Sequence, residues 1–456
     1  MKDTKRRVEF FSFYNRTGIE QHLTKMAKQG WLIESITNFY WTYRKIEPKE
    51  IHFSVSYYPR ASDFDPEPTE EQQTFHDFCA HTGWQYACSW FQMQVFYNEK
   101  ANPIPLDTDP VLELDVLHKA CKKNFLPSYF MLLVLSLLMT AYFLWGLYAD
   151  PIGLLSNASR LMSQGAMICM FALCAVELTT YFRWYRKAKL AAKDGIFVAT
   201  PSTSKFQLGL LAVLFIALIW WLVNLLAADD PMLFWVGIVM LVYTIGLMLT
   251  VNGIKQGLKK AKVSRGWNKF VTFGACFLIP IVMTSLITIF FITLGNHGAF
   301  EKDPAEADDL PLSLTDFMEI DDLHYTMYDR TDRTVLLEQR FVNHHPDSIA
   351  ISDCITTGLW YSLTTVHVPA LYDWCKDQKY WDADERNNDI PEGHRLVYKE
   401  VDAAPWGAED AYRIYHEEGW WTNWYLLCYE DQILEIRFDW EPTPEDMAIV
   451  AEKLKP

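Results

Sequence analysis

Five apolar stretches packed into 170 residues constrain this chain more than any other feature. They are Leu126–Tyr148, Leu161–Tyr181, Phe206–Ala228, Met232–Val251 and Phe270–Leu294. Each holds about 20 residues or more, enough at roughly 1.5 Å per residue to cross a hydrocarbon layer of about 30 Å. Four of the five carry no charged residue; the second contains Gln164 and Glu177. One such stretch alone reads equally well as a buried helix of a soluble protein, but five in succession predict a five-helix transmembrane bundle over residues 111–295.

Lys and Arg near the span ends predict the orientation. Lys119, Lys122 and Lys123 precede the first span. Arg183, Arg186, Lys187, Lys189, Lys193 and Lys205 fill the second link against one acid, Asp194. Lys255, Lys259, Lys260, Lys262, Arg265 and Lys269 fill the fourth link with no acid, whereas Asp150–Arg160 and Asp229–Asp230 are short and nearly bare. All the cationic segments share one side if residues 1–110 are cytoplasmic, and five crossings then place residues 296–456 outside. The expected location is a cell membrane, crossed several times. Charge divides in the same place. From Asn296 onward there are 35 acids and 13 bases, a net of −22; residues 1–295 carry +6, and together these make the total of −16. An acidic outer surface repels anionic headgroups and attracts cations, although plain solubility explains it as well. The first ~120 residues lack the early apolar segment of a secretory signal, so insertion is expected to begin with the first span.

Residues 1–110 repeat one short plan. The first copy, Gly18–Pro59, centres on KMAKQGWLIESITNFYWTYRK, and the second, Thr69–Lys100, on DFCAHTGWQYACSWFQMQVFYNEK. At a shift of 53, Ala27, Gly30, Trp31 and Tyr43 match Ala80, Gly83, Trp84 and Phe96. Helical spacing (Ile19, Leu23, Met26; Phe75, Cys79) runs up to each Gly-Trp, and glycine suits the left-handed position after a helix. Aromatic and β-branched runs follow: Trp31–Thr37, Tyr40–Arg44 and Ile51–Tyr58, then Gln85–Trp90 and Met93–Tyr97. The expectation is an α+β domain of two helix–hairpin units sharing one sheet. Trp31 and Trp84 then occupy equivalent corners, either capping the core or marking a ligand site.

These residues resemble a family. Glu20, Leu23, Met26, Ala27, Gly30, Trp31 and Leu32, then Glu47-Pro48 and a second Gly-Trp segment, are similar to the bacterial domain of unknown function 2812 over roughly residues 6–100. The resemblance implies a domain that precedes membrane spans, in a regulatory setting beside PadR-type repressors. It implies no catalytic residues. The alternation of His52 and Ser54 with Phe53 and Val55 departs from the pattern and leaves that strand's register open.

Residues 296–456 open with an acidic, proline-containing linker, Lys302–Pro311, and read as a second α+β domain. Strands are expected at Thr334–Val342, Ile349–Ile355, Arg395–Val401, Ala411–His416, Trp424–Tyr429 and Gln432–Asp439, the last two joined at Glu430-Asp431. Helices are expected at Pro369–Lys379 and from Thr443 to Leu454, the latter with Thr at the cap, Pro at the first position and acids in the first turn. Of Cys354, Cys375 and Cys428, at most one pair can bridge; Cys354–Cys375 is the nearest in sequence, and buried free thiols are the favoured reading.

Sites are few. Glu177 is the one intramembrane charge, and such acids are functional candidates, although it lies near Arg183 and the inner interface. Trp420, Trp421, Trp424 and Tyr425, with Trp406 and Trp440 nearby, line a groove for a peptide or sugar, dip into the outer membrane interface, or pack a strand-rich core, the last being the default reading. His344-His345 is the sole histidine cluster, and adjacent strand residues face opposite ways. No zinc spacing, phosphate-binding loop or nucleophile motif occurs. No enzymatic activity, cofactor, metal or direct nucleic-acid contact is therefore expected. The anticipated partners are the lipid bilayer and a cytoplasmic regulatory protein. The preferred expectation is a non-enzymatic transmembrane sensor or regulator; the alternative is a transporter component or accessory subunit with Glu177 on the path.

Overall fold

A computed structural model describes residues 3–66, 68–227, 231–297, 310–318, 325–346, 358–379, 395–416 and 421–454. Two units are described separately. The first comprises residues 1–139, 165–219 and 232–297, and the second residues 140–164, 220–231 and 298–456.

The first unit begins with β1 (Thr4–Arg7), α1 (Arg16–Lys28), β2 (Trp31–Ile36) and β3 (Trp41–Lys45). The same order returns as β4 (His52–Tyr57), α2 (Glu70–His81), β5 (Gln85–Trp90) and β6 (Met93–Asn98). Each set forms its own three-stranded antiparallel sheet, β1-β3-β2 and β4-β6-β5. The expected helix–hairpin repeat is present, as α1-β2-β3 and α2-β5-β6, but the expectation of a single shared sheet is corrected, and each repeat gains a strand before its helix. The unit is strand–helix–hairpin, and Ile51–Tyr58 opens the second copy instead of closing the first. The reason is pairing: β4 lies along β6, with Phe53 opposite Tyr97 and Val55 opposite Val95, so its hydrogen bonds and apolar face belong to the second sheet. The 53-residue shift holds down to the backbone. Ile33 pairs Tyr43 and Tyr86 pairs Phe96, and a bulge interrupts β2 between Ile33 and Ser35 and β5 between Tyr86 and Cys88.

Local chemistry explains the helix limits. Asn15 accepts from the Gly18 amide to start α1, and Thr69 forms a reciprocal capping box with Gln72 to start α2. Gly30 and Gly83 follow the two helices with φ of +83° and +91°. A Cβ on Gly30 would stand 2.9 Å from the Ile46 carbonyl oxygen.

Helix α3 (Pro110–Lys123), capped by Asp109, leads into five long apolar helices: α4 (Phe125–Ala149), α6 (Ala158–Lys193), α7 (Ser204–Ala227), α8 (Pro231–Lys260) and α9 (Arg265–Asn296). The chain is a multi-pass membrane protein. The helices outrun the apolar stretches, α6 by three turns at its C-terminal end, because Tyr181, Trp184 and Ala188 pack into the core of the N-terminal domain. Leu117, Ala120 and Cys121 of α3 and Phe125 and Leu126 of α4 join the same core.

The second unit holds a seven-stranded antiparallel sheet, ordered β10-β11-β12-β13-β9-β8-β7. Its strands are β7 (Tyr325–Arg333), β8 (Leu337–Pro346), β9 (Leu359–Val366), β10 (Leu396–Glu400), β11 (Asp410–His416), β12 (Trp421–Cys428) and β13 (Gln432–Phe438). One face packs Tyr361, Leu427, Leu434, Ile436 and Phe438 under Trp406 and α11 (Pro444–Lys453). The other packs Leu337, Leu426, Cys428 and Ile433 against α10 (372–379) and the short α5 (Pro151–Leu155), whose Ile152, Leu154 and Leu155 are buried there. The link between α4 and α6, read as bare from its charges, is thus part of this domain's core.

β7 and β9 were not foreseen. β7 is polar, and cross-strand pairing makes it a strand: Arg340 of β8 grips Asp329 through two hydrogen bonds of 3.0 and 2.9 Å. β9 lies between two strands and is buried on both faces, so no alternation marks it. The region Ile349–Ile355 and the linker up to Asp309 lie outside the described residues. Glu430-Asp431 does turn β12 into β13, with Tyr429 donating to the Gln432 carbonyl at 2.8 Å. Thr443 caps α11, with Pro444 first and Asp446 completing the box.

Candidate functional site

The Gly-Trp corners occupy equivalent places in the two sheets, but the indoles do different things. Trp84 is buried beside Cys79 and Phe96 and donates to the Ile104 carbonyl at 2.9 Å. Trp31 is half-buried at the edge of the main core, with Lys5 Nζ 5.2 Å from its ring. Both tryptophans pack against a core.

Glu177 is more informative. It is fully buried, and its Oε1 accepts from Gln207 Nε2 at 2.8 Å and from the Thr203 hydroxyl. Thr203 and Gln207 open α7. Both also bond the Ser12 hydroxyl, at 2.9 and 3.2 Å, and Ser12 belongs to the segment before α1. Next to it, Tyr14 stacks edge-on against Phe125 of α4 and Tyr181 of α6, with ring centroids 5.3 and 5.2 Å away. Burial, and then the Glu177 charge, push the Tyr14 hydroxyl above its ordinary range. One turn further, Thr17 and Thr200 exchange two bonds of 3.0 and 3.1 Å, and Thr200 donates to Asn15 at 3.2 Å. The acid therefore sits where α4, α6 and α7 meet the segment Ser12–Thr17. A carboxylate oxygen can do this because its lone pairs take both donors from the start of α7 at once, and those two residues carry the link on to Ser12.

A second attachment lies between α8 and α9. Asp63 is 2.5 Å from Lys255 Nζ and 3.8 Å from Lys259, and Asp65 is 3.6 Å from Arg265. Between them Phe64 stacks on Phe273 of α9 at 6.2 Å, and Asn268 Nδ2 donates to its carbonyl at 3.3 Å. The fourth link, bare of acids in sequence, receives its counter-ions from this loop. Sequence reading missed Ser12, Thr203, Gln207 and the Asp63-Phe64-Asp65 loop. The available signal was an acid–aromatic–acid triplet in the loop between β4 and α2, set against a link of six cations.

A buried cation ties the domain itself together. Arg16 bonds Glu20 at 2.9 Å, lies 3.2 Å from Asp107 and also pairs Glu113. Burial raises the carboxyls of Asp107 and Glu113 despite the arginine.

In the second unit the aromatic stretch divides. Tyr425 is core, 4.9 Å from Trp406. Trp424 points to the opposite face and meets Trp360 edge-on at 6.4 Å. Trp424, Arg437, Trp360 and Asn343 pair across four adjacent strands and, with Asp439, line a groove of about 470 Å³. Trp421 opens β12, and Trp420 lies outside the described residues. Trp440 packs on Phe438 at 5.0 Å. His344 is buried, its Nδ1 accepting from the Leu314 amide at 3.3 Å. Cys375 and Cys428 are buried free thiols, while Cys354 lies outside the described residues.

These features define a multi-pass membrane protein whose N-terminal α+β domain is built into the ends of its helices, with a C-terminal sheet-rich domain. The family model described as a protein of unknown function, DUF2812, matches residues 15–129, so the N-terminal domain carries the family that its Gly-Trp motif resembles. The match reaches past the repeats through α3 into the first turns of α4, whose Phe125 and Leu126 belong to the same core. No curated protein and no solved structure matches the chain.

Proposed function

We propose that this protein is a non-enzymatic transmembrane sensor or regulator, with residues 1–110 cytoplasmic and residues 296–456 outside. One observation carries the reading. The first residues of α4 are built into the core of the N-terminal domain, and the short helix that follows α4 is built into the core of the C-terminal domain. Helix α4 thus starts in one core and leads along the chain into the other, which gives a signal a covalent route between the two domains. The groove between Trp360 and Trp424 supplies a candidate place for a signal to act.

The arrangement around Glu177 favours anchoring over a transport path. Glu177 is fully buried, its two donors Thr203 and Gln207 bond each other, and both also bond Ser12. The test is in-cell photo-crosslinking from Phe78, an exposed position on α2, in the full chain. Capture of a transcription factor or signalling protein supports the proposal. Capture of transporter subunits moves the weight to the transport reading, and absence of any specific partner argues against regulation through this domain.

A further inference from the structure

Three cations converge where the first and fifth spans begin. Lys123, the last residue of α3, donates from Nζ to the Pro59 carbonyl at 2.9 Å. Arg265, the first residue of α9, donates from Nη1 to the adjacent Arg60 carbonyl at 3.2 Å. Lys269, one turn later, stands 5.8 Å from the centre of the Phe64 ring. Among the described residues, the carboxylate that pairs with this group is Asp65, 3.6 Å from Arg265. Asp63 is engaged by Lys255 and Lys259, and Glu71 by Arg60. Three positive charges thus face one negative charge. Burial lowers the affinity of Lys123 for its proton, and Arg265 and Lys269 lower it further, the signature of cations held close together.

Position selects the ligand. The apolar part of α4 starts two residues after Lys123, and that of α9 starts one residue after Lys269. The group therefore lies at headgroup depth. Trp267, exposed and edge-on to Phe270 at 5.6 Å, marks the same level, as interfacial tryptophans do. At this depth the anion present in bulk is a lipid phosphate.

We infer that Lys123, Arg265 and Lys269 form a binding site for the phosphate of an anionic phospholipid headgroup, seated against the Pro59–Asp65 loop. The inference rests on the membrane spans and is independent of the sensor reading. An occupant here touches the loop that fastens the N-terminal domain to α8 and α9, so membrane composition tunes that attachment.

The test is native mass spectrometry of the detergent-purified full chain, titrated with phosphatidylglycerol or phosphatidylcholine. The wild type should retain one phosphatidylglycerol in preference to phosphatidylcholine. At about 1 kcal/mol per cation, Lys123→Ala and Lys269→Ala should each weaken retention about fivefold, and the double variant about 25-fold. Lys269→Arg should restore it, which a merely unfolded variant could not do, and Lys100→Ala on the far surface should change nothing. Equal retention of both lipids, or equal loss in Lys100→Ala, would overturn the assignment. So would inorganic phosphate alone raising the melting temperature as far as phosphatidylglycerol does, since the ligand would then be a free anion.

Discussion

Replacing Glu177 separates an anchor from a transport residue. Glu177→Gln keeps the shape and one carbonyl oxygen, so Thr203 and Gln207 still find an acceptor. The expected cost is about 1 kcal/mol or less, the difference between a charged and a neutral acceptor being offset by relief of burying a charge. Glu177→Ala removes the acceptor and leaves space. A hydrogen bond to a charged group contributes about 1.5–3 kcal/mol. Thr203 and Gln207 keep Ser12 and each other as partners, so the loss is nearer one such bond than two. The one buried methylene that is lost adds about 0.8 kcal/mol. The sum is about 2–4 kcal/mol, or roughly 4–8 °C in melting temperature at about 2 °C per kcal/mol for a unit of this size. The assay is thermal unfolding of the full chain in detergent, with limited proteolysis between residues 194 and 203 as a local probe. Glu177→Gln should melt within about 2 °C of wild type, and Glu177→Ala should melt early and be cut faster in that link. If Glu177→Ala melted like wild type, the anchoring argument would be wrong. If Glu177→Gln kept full stability yet abolished a flux or resistance phenotype, Glu177 would be a transport residue.

Gly30→Ala combines a left-handed backbone with a clash against the Ile46 carbonyl. It should cost about 2–3 kcal/mol in chemical denaturation of the full chain, whereas a loss under 0.5 kcal/mol would refute the reading. Arg16→Ala removes the cation from Asp107, Glu113 and Glu20, of which Glu20 keeps the Val55 amide as a donor, and should destabilise by about 3 kcal/mol near pH 7. Because Asp107 and Glu113 hold their protons to higher pH when folded than when unfolded, their contribution grows as pH falls towards the ordinary carboxylate range and is lost as it rises. Glu113→Gln should flatten that slope in melting curves recorded at a series of pH values, and an unchanged slope would contradict it. Asp63→Asn should loosen the Pro59–Asp65 loop, seen as faster deuterium uptake at residues 59–66, with Lys255→Ala producing the same change and the double variant little more.

The spans were legible because an apolar run of 20 residues has few other uses, and the helix ends at Gly30 and Gly83 because glycine pays no Cβ penalty there. Register was harder. His52–Tyr57 follows the first hairpin in sequence, and only its pairing with Met93–Asn98 assigns it to the second sheet. Leu359–Val366 escaped notice because a strand buried on both faces shows no alternation, and Tyr325–Arg333 because its strand character depends on charges supplied by a neighbour. Glu177 stood out by composition alone, but its partners could not be read. Ser12, Thr203 and Gln207 are ordinary polar residues, one far from the other two in sequence. For the same reason Asp63 and Asp65 looked like loop acids until Lys255 and Arg265 were found beside them.

The burial of α5 has a consequence for synthesis. Leu155 offers its carbonyl to Thr334, 179 residues later in the chain. Helix α5 leaves the ribosome long before any strand of its sheet exists. Ile152, Leu154 and Leu155 must wait uncovered, or be held by a chaperone or the bilayer surface, until the last third of the protein has been made. A chain cut short after the fifth span would never cover them. Any truncation used to probe the C-terminal domain therefore creates a sticky apolar turn as well as removing a domain, and Leu154→Ser or Leu155→Ser belongs in the same clone if aggregation is not to be mistaken for a lost signal.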